Sequence, residues 1–172
     1  MSVFDEVINW GPLSRIRRNH ALEHATLQVL VEKNPGLRAA GYSDPKGFWL
    51  MGAIETQQVE AAVQEALARL RGGEHGLAIH PHCGTNLVAS GFLAGSFAWV
   101  GMLGAGRSWR DRMERWPLVI SLVTIGLVLA QPLGPYLQRN FTTQAATQDL
   151  EVVSIQRAQR ADTPIHRILT QF

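Results

Sequence analysis

Two long stretches of this chain carry no charge, and they limit its fold more than any other feature. Residues 87–106 and 117–138 contain no Asp, Glu, Lys or Arg. Each matches the roughly 20 apolar residues that a helix needs to cross a bilayer. Between them, Arg107, Arg110, Arg112 and Arg115 crowd into residues 107–115. Two apolar runs joined by a basic loop read as a transmembrane helical hairpin. Trp99, Trp109, Trp116 and Tyr136 fall near the ends of the runs, where aromatic belts meet the membrane interface. Gly91 and Gly95 form the G-x-x-x-G spacing that lets helices approach closely. That Gly-rich span is a candidate contact for an oligomer or for a larger membrane complex.

Composition supports the same division. Charged residues are 17% of the 172, against about 25% in soluble domains, and the deficit falls in the two runs. A net charge of +2 with no long basic run excludes nucleic acid as the expected partner. Cys83 is the single cysteine, so no intrachain disulfide forms. Residues 1–9 lack the profile of a secretory leader. Val3, Phe4, Val7 and Ile8, with Trp10, predict a short amphipathic helix over 1–10, suited to a membrane surface or to packing on the protein itself.

Upstream of the hairpin the patterns predict a small α+β unit. A helix is expected over 15–32, with Ser14 as its N-cap and Asn34-Pro35-Gly36 as its stop. Residues 37–54 read as a β-hairpin turning at Ser43-Asp44-Pro45-Lys46. Thr56 then caps a helix to residue 70, whose stripe is Val59, Ala62, Val63, Ala66, Leu67 and Leu70. Residues 77–80 suggest a short strand. Beyond the hairpin, 150–156 reads as a strand able to add an edge to the sheet, and 165–169 as another short element, with His166 at the surface.

The chemistry concentrates in two clusters. In His20-Ala21-Leu22-Glu23-His24 the two histidines lie one helical turn apart, so both imidazoles share a face with a carboxylate beside them. This is the H-x-x-E-H order, the inverse of the H-E-x-x-H zinc motif. The second cluster is His80-Pro81-His82-Cys83-Gly84. Catalytic zinc takes three protein ligands and keeps a fourth position for water. His20 and His24 supply two. His80 is the first choice for the third, Cys83 the second and His82 the third. If His80 and Cys83 both bind, the site closes and becomes structural. Glu23 is not needed as a ligand and is placed to take a proton from water that zinc acidifies to a pKa of ~7. Thr85 and Asn86 are expected to support the ligands by hydrogen bonds.

His20-x-x-Glu23-His24 followed by His80-Pro81-x-Cys83-Gly84-Thr85 and an apolar span resembles the YqhQ-like bacterial membrane proteins, a family of predicted metal-dependent enzymes. The resemblance covers about residues 19–26 and 79–100. His82 departs from the basic residue expected there, which favours His80 and Cys83 as ligands. The H-x-x-E-H match to inverted-zincin peptidases implies peptide hydrolysis by analogy. As a whole the chain also resembles an uncharacterised family of cyanobacteria and filamentous phototrophs.

Together these features predict an α+β fold: a small sheet with helices on one face, plus a two-helix transmembrane hairpin. The expected segments are 1–84 with the metal site, 85–138 in the membrane, and a polar tail at 139–172. The expected function is a membrane-anchored, zinc-dependent hydrolase of the peptidase kind, with one ion per chain and a membrane protein or peptide as substrate. The alternative is a non-catalytic subunit of a membrane complex, holding a metal, a haem or a chlorophyll-type pigment. The expected location is the inner membrane, multi-pass. The basic connector draws the loop to the cytoplasm, while Arg15, Arg17, Arg18 and the long segment ahead of the first span draw the site there instead. The second pull is taken here, with the site on the cytoplasmic face.

Overall fold

The protein is described here from a computed structural model covering residues 10–147, 149–160 and 163–172. The amphipathic helix expected over 1–10 lies outside the described residues except for Trp10. The described chain forms α1 (Gly11–Lys33), β1 (Ala39–Asp44), β2 (Gly47–Gly52), α2 (Thr56–Arg71), a 3-10 turn (His75–Ala78), α3 (Gly84–Met102), α4 (Trp109–Glu114), α5 (Trp116–Leu137), a π turn (Gln138–Thr142), β3 (Glu151–Arg160) and β4 (Thr163–Gln171). It divides into two compact units. One, the head, runs to His80 and resumes at Gln138; the other is Pro81–Leu137. The fold is α+β.

In the head, α1 begins earlier than its pattern suggested. Pro12 occupies the first turn, where a missing N–H costs nothing. Ser14 is therefore inside the helix and not its cap; its hydroxyl donates to Gln144 Oε1 at 3.1 Å. At the other end the Asn34 amide reaches the Leu30 carbonyl, and Gly36 takes a left-handed φ of 91°. The β-hairpin turns at Pro45-Lys46, with Asp44 opposite Gly47. α2 buries Val59, Ala62, Val63, Ala66, Leu67 and Leu70, the whole predicted stripe. Its cap is Glu55 and not Thr56, because Glu55 and Gln58 exchange side-chain bonds with each other's backbone.

The sheet has the order β1-β2-β4-β3, antiparallel throughout. β3 is the edge strand expected from 150–156. β4 lies between β2 and β3, so the polar tail supplies half of the sheet. Phe48 and Leu50 of β2 and Ile168 of β4 join α1 and α2 in one core. His166, two residues before Ile168, shares that inward side and is fully buried, not at the surface as expected. Strand order is the reason: β4 is paired along both edges, and its inner side is covered.

Burial, followed by the charge of Arg157, holds the His166 pKa below the usual histidine value against the upward pull of Glu55. Its Nε2 lies 3.1 Å from the Thr56 hydroxyl. Below the unfolded value of about 6.5 the unfolded chain binds this proton more readily than the folded one, so stability present above that pH is lost as pH falls. In chelator-treated protein, moving from about pH 7.5 to about pH 5.5 is expected to lower Tm more for wild type than for His166→Gln. Equal shifts would remove His166 from the acid response.

Residues 77–80 form no strand. Gln28 Nε2 donates to the Leu77 and Ile79 carbonyls at 2.8 and 2.9 Å, and His24 Nδ1 donates to the Ala78 carbonyl at 2.7 Å. A backbone whose acceptors are taken by helix side chains has none to offer a ladder.

In the second unit α3 and α5 pack as an antiparallel pair. Gly101 meets Val119 and Leu122, Gly126 meets Phe97 and the Leu93 carbonyl, and Gly134 meets Asn86. A Cβ at Gly101 or Gly134 would come within 3.0 Å of these neighbours, and one at Gly126 would be tight at 3.2 Å, so small residues let the two helices approach closely. Leu87, Val88, Phe92, Trp99, Ile120 and Val128 remain exposed. α5, continued through the π turn to Thr142, is long and apolar enough to cross a membrane, and it is the one such helix among the described residues. Gly91, Gly95 and Ser96 dilute the apolar character of α3. Ser108 and Asp111 form a capping box at α4, in the arginine-rich connector.

Candidate metal centre

α1 carries Arg17, His20, His24 and Gln28 at three- and four-residue intervals, one polar stripe on a largely buried helix. All four donate to backbone carbonyls of the two segments where the chain leaves and rejoins the head. Arg17 Nη2 reaches the Asn140 and Thr143 carbonyls, each at 3.3 Å. His20 Nδ1 lies 2.9 Å from the Thr142 carbonyl, and His24 and Gln28 hold residues 77–79.

These contacts settle the histidine tautomers. A carbonyl oxygen only accepts, so Nδ1 of both rings carries a proton, which in the neutral ring leaves the lone pair on Nε2. An imidazole whose Nδ1–H is fixed on a backbone carbonyl is the usual form of a metal ligand. The rings of His20 and His24 stand 4.2 Å apart between centroids, inclined at 60°, with ligand atoms within 4.8 Å of each other. The His80 ring lies 5.5 Å from that of His24. His24 is buried, and His20 and His80 are half-buried. The head thus pairs the ligand atoms of His20 and His24 within 4.8 Å and sets the His80 ring beside that of His24. Their donor chemistry suits zinc, and also iron or copper.

His80 does not end a strand, as expected. Its backbone is held by Gln138, a fully buried residue that sequence reasoning passed over as the last member of an uncharged run. Arg17 and Gln28 were also passed over, although their spacing from the histidine pair was a usable signal.

Glu23 is 4% exposed, and its carboxylate accepts the Ser43 hydroxyl of β1. The absence of a side chain at Gly41 makes room for it, since a Cβ there would overlap the carboxylate. Asn19 ties the same side of α1 to the sheet, donating to the Asp44 carbonyl at 2.8 Å and accepting the Thr170 hydroxyl at 2.7 Å.

The remaining predicted residues belong to the second unit. Cys83 is buried and caps α3, its sulfur accepting the Thr85 N–H at 3.4 Å. Thr85 Oγ1 accepts from the same thiol at 3.4 Å. Asn86 donates to the Pro81 carbonyl at 2.6 Å. His82 is exposed.

The class these features define is an α+β head with a partly buried histidine cluster, its chain interrupted by an apolar helical hairpin. The chain belongs to the family described as a domain of unknown function, DUF6391, whose pattern matches residues 15–155. That range takes in both histidine clusters and the hairpin. The chain is also 34% identical over 141 residues to an uncharacterised protein of Picosynechococcus sp., an alignment covering 74% of this chain and 65% of that relative. No solved structure matches.

Proposed function

We propose that this protein is a membrane-anchored, zinc-dependent hydrolase that cleaves peptide bonds in a membrane-associated substrate. One observation carries the proposal: His20 and His24 are both fixed through Nδ1 on backbone carbonyls, with their rings 4.2 Å apart and His80 beside them. In this reading His20, His24 and His80 hold one zinc ion per chain. Cys83 remains the alternative third ligand, on its three-residue spacing from His80 and with Thr85 supporting its sulfur, so that one position is left to water. When bound, zinc supplies Lewis acidity that makes water a usable nucleophile near neutral pH. Glu23 is the general base, and Ser43 orients its carboxylate. The resemblance to YqhQ-like proteins and to inverted zincins supports the same chemistry by analogy. α3 and α5 are read as two spans of the inner membrane, with the site on the cytoplasmic face.

The decisive experiment is elemental analysis of the detergent-purified chain. One zinc per chain is expected, and a protein free of transition metal after growth in zinc-supplemented medium would end the proposal.

The second reading, a pigment- or metal-holding subunit, draws on the hairpin. A Cβ at Gly91 or Gly95 would meet nothing, so that face of α3 is not used in packing against α5. A Soret-type band in the absorption spectrum would favour it; a colourless zinc protein favours the hydrolase. The crowding of three imidazoles suits an ion better than a macrocycle.

A further inference from the structure

Gln138 spends both polar groups of a fully buried amide on one residue. Its Oε1 accepts the His80 N–H at 2.8 Å, and its Nε2 donates to the His80 carbonyl at 3.1 Å. The pairing copies the two-bond exchange of an antiparallel ladder, yet it acts on a residue outside any strand. The N–H belongs to the peptide unit before the His80 Cα and the carbonyl to the unit after it. Fixing both units fixes the direction of the Cα–Cβ bond between them. Pro81 narrows the choice further, since a residue before proline is restricted to extended backbone. Gln138 is itself anchored: its carbonyl accepts the N–H and the hydroxyl of buried Thr143, both at 2.9 Å. The turn that begins at Gln138 also supplies the Thr142 carbonyl that orients His20.

We infer that Gln138 is a positioning residue of the metal centre, which aims the His80 imidazole at the His20–His24 pair. The inference rests on the zinc reading and names the side chain that positions its third ligand. The pairing also ties the point where the chain leaves the head to the point where it returns, so the test below reads metal binding and not stability alone.

The test uses the full chain in detergent, with Zn²⁺ competition titration and the visible spectrum of the Co²⁺ form. Gln138→Met keeps the shape and removes both hydrogen bonds. It is expected to weaken Zn²⁺ binding about 10- to 100-fold and to alter the Co²⁺ bands. His75→Ala, at an exposed histidine, is expected to change neither. In a His80→Ala background Gln138→Met is expected to cost nothing further, because its effect passes through His80. Gln138→Asn keeps the amide one methylene short; it is expected to show the same loss and serves if the methionine variant does not fold. Equal losses with and without His80, or unchanged binding in the folded variants, would overturn the inference while leaving the zinc reading intact. Wild type that binds neither Zn²⁺ nor Co²⁺ overturns both.

Discussion

Replacing His24 by asparagine is expected to empty the site while leaving the fold nearly untouched. The asparagine amide nitrogen sits close to where Nδ1 sat, so it can still donate to the Ala78 carbonyl. What disappears is Nε2, the proposed ligand atom. The same holds for His20→Asn and the Thr142 carbonyl. This separates the two jobs a histidine does here: holding a neighbouring backbone, and binding an ion. Structural zinc sites with four protein ligands bind with about 10–16 kcal/mol, which scales to roughly 3 kcal/mol per ligand, or about 100-fold in affinity. Each single variant is therefore expected to lose about 100-fold in Zn²⁺ affinity, and the double variant to carry less than about a tenth of an ion per chain. The Tm of the metal-free variants should stay within about 2 °C of metal-free wild type. If zinc content is unchanged and only stability moves, these histidines are backbone clamps and nothing more.

What could be read from the sequence, and what could not, follows one physical line. The α2 stripe, the hairpin turn and the two uncharged runs are repeated local patterns, and periodicity reports such patterns well. The histidine pair was legible because helix geometry alone puts residues one turn apart on one face. His80 was legible as a neighbour of the histidine pair but not as a loop residue. A short apolar stretch before it imitates a strand, and only the side chains of Gln28 and His24 reveal that its carbonyls are already taken. His166 was misjudged because burial of a strand residue depends on which strands flank it, and strand order is not a local property. Gln138 left no trace, since the last residue of an uncharged run looks alike whether it faces solvent or grips a peptide. The parts that orient the site are largely backbone carbonyls of Ala78, Asn140, Thr142 and Thr143, which every residue type possesses.

Glu23→Gln is expected to keep zinc and abolish hydrolysis. The amide still presents an oxygen to the Ser43 hydroxyl and fits the space left by Gly41, so the packing of α1 on β1 is preserved. It cannot take up a proton. Loss of a general base costs about 10²- to 10⁴-fold in rate, measurable with fluorescein-labelled casein in detergent as the probe. Ser43→Ala makes the complementary change, leaving the carboxylate in place and deleting one hydrogen bond to it. Its loss should be smaller, and the two variants together should be no worse than Glu23→Gln alone, because without a base there is nothing left to orient. A carboxylate this deeply buried against a strand also has a plain structural use, as the acceptor that joins α1 to β1. In that case Glu23→Gln would be silent in the rate, and Glu23→Ala would act through stability, costing about 1–3 kcal/mol for the unpaired hydroxyl and the cavity. The rate at full zinc occupancy therefore decides between a base and a tie.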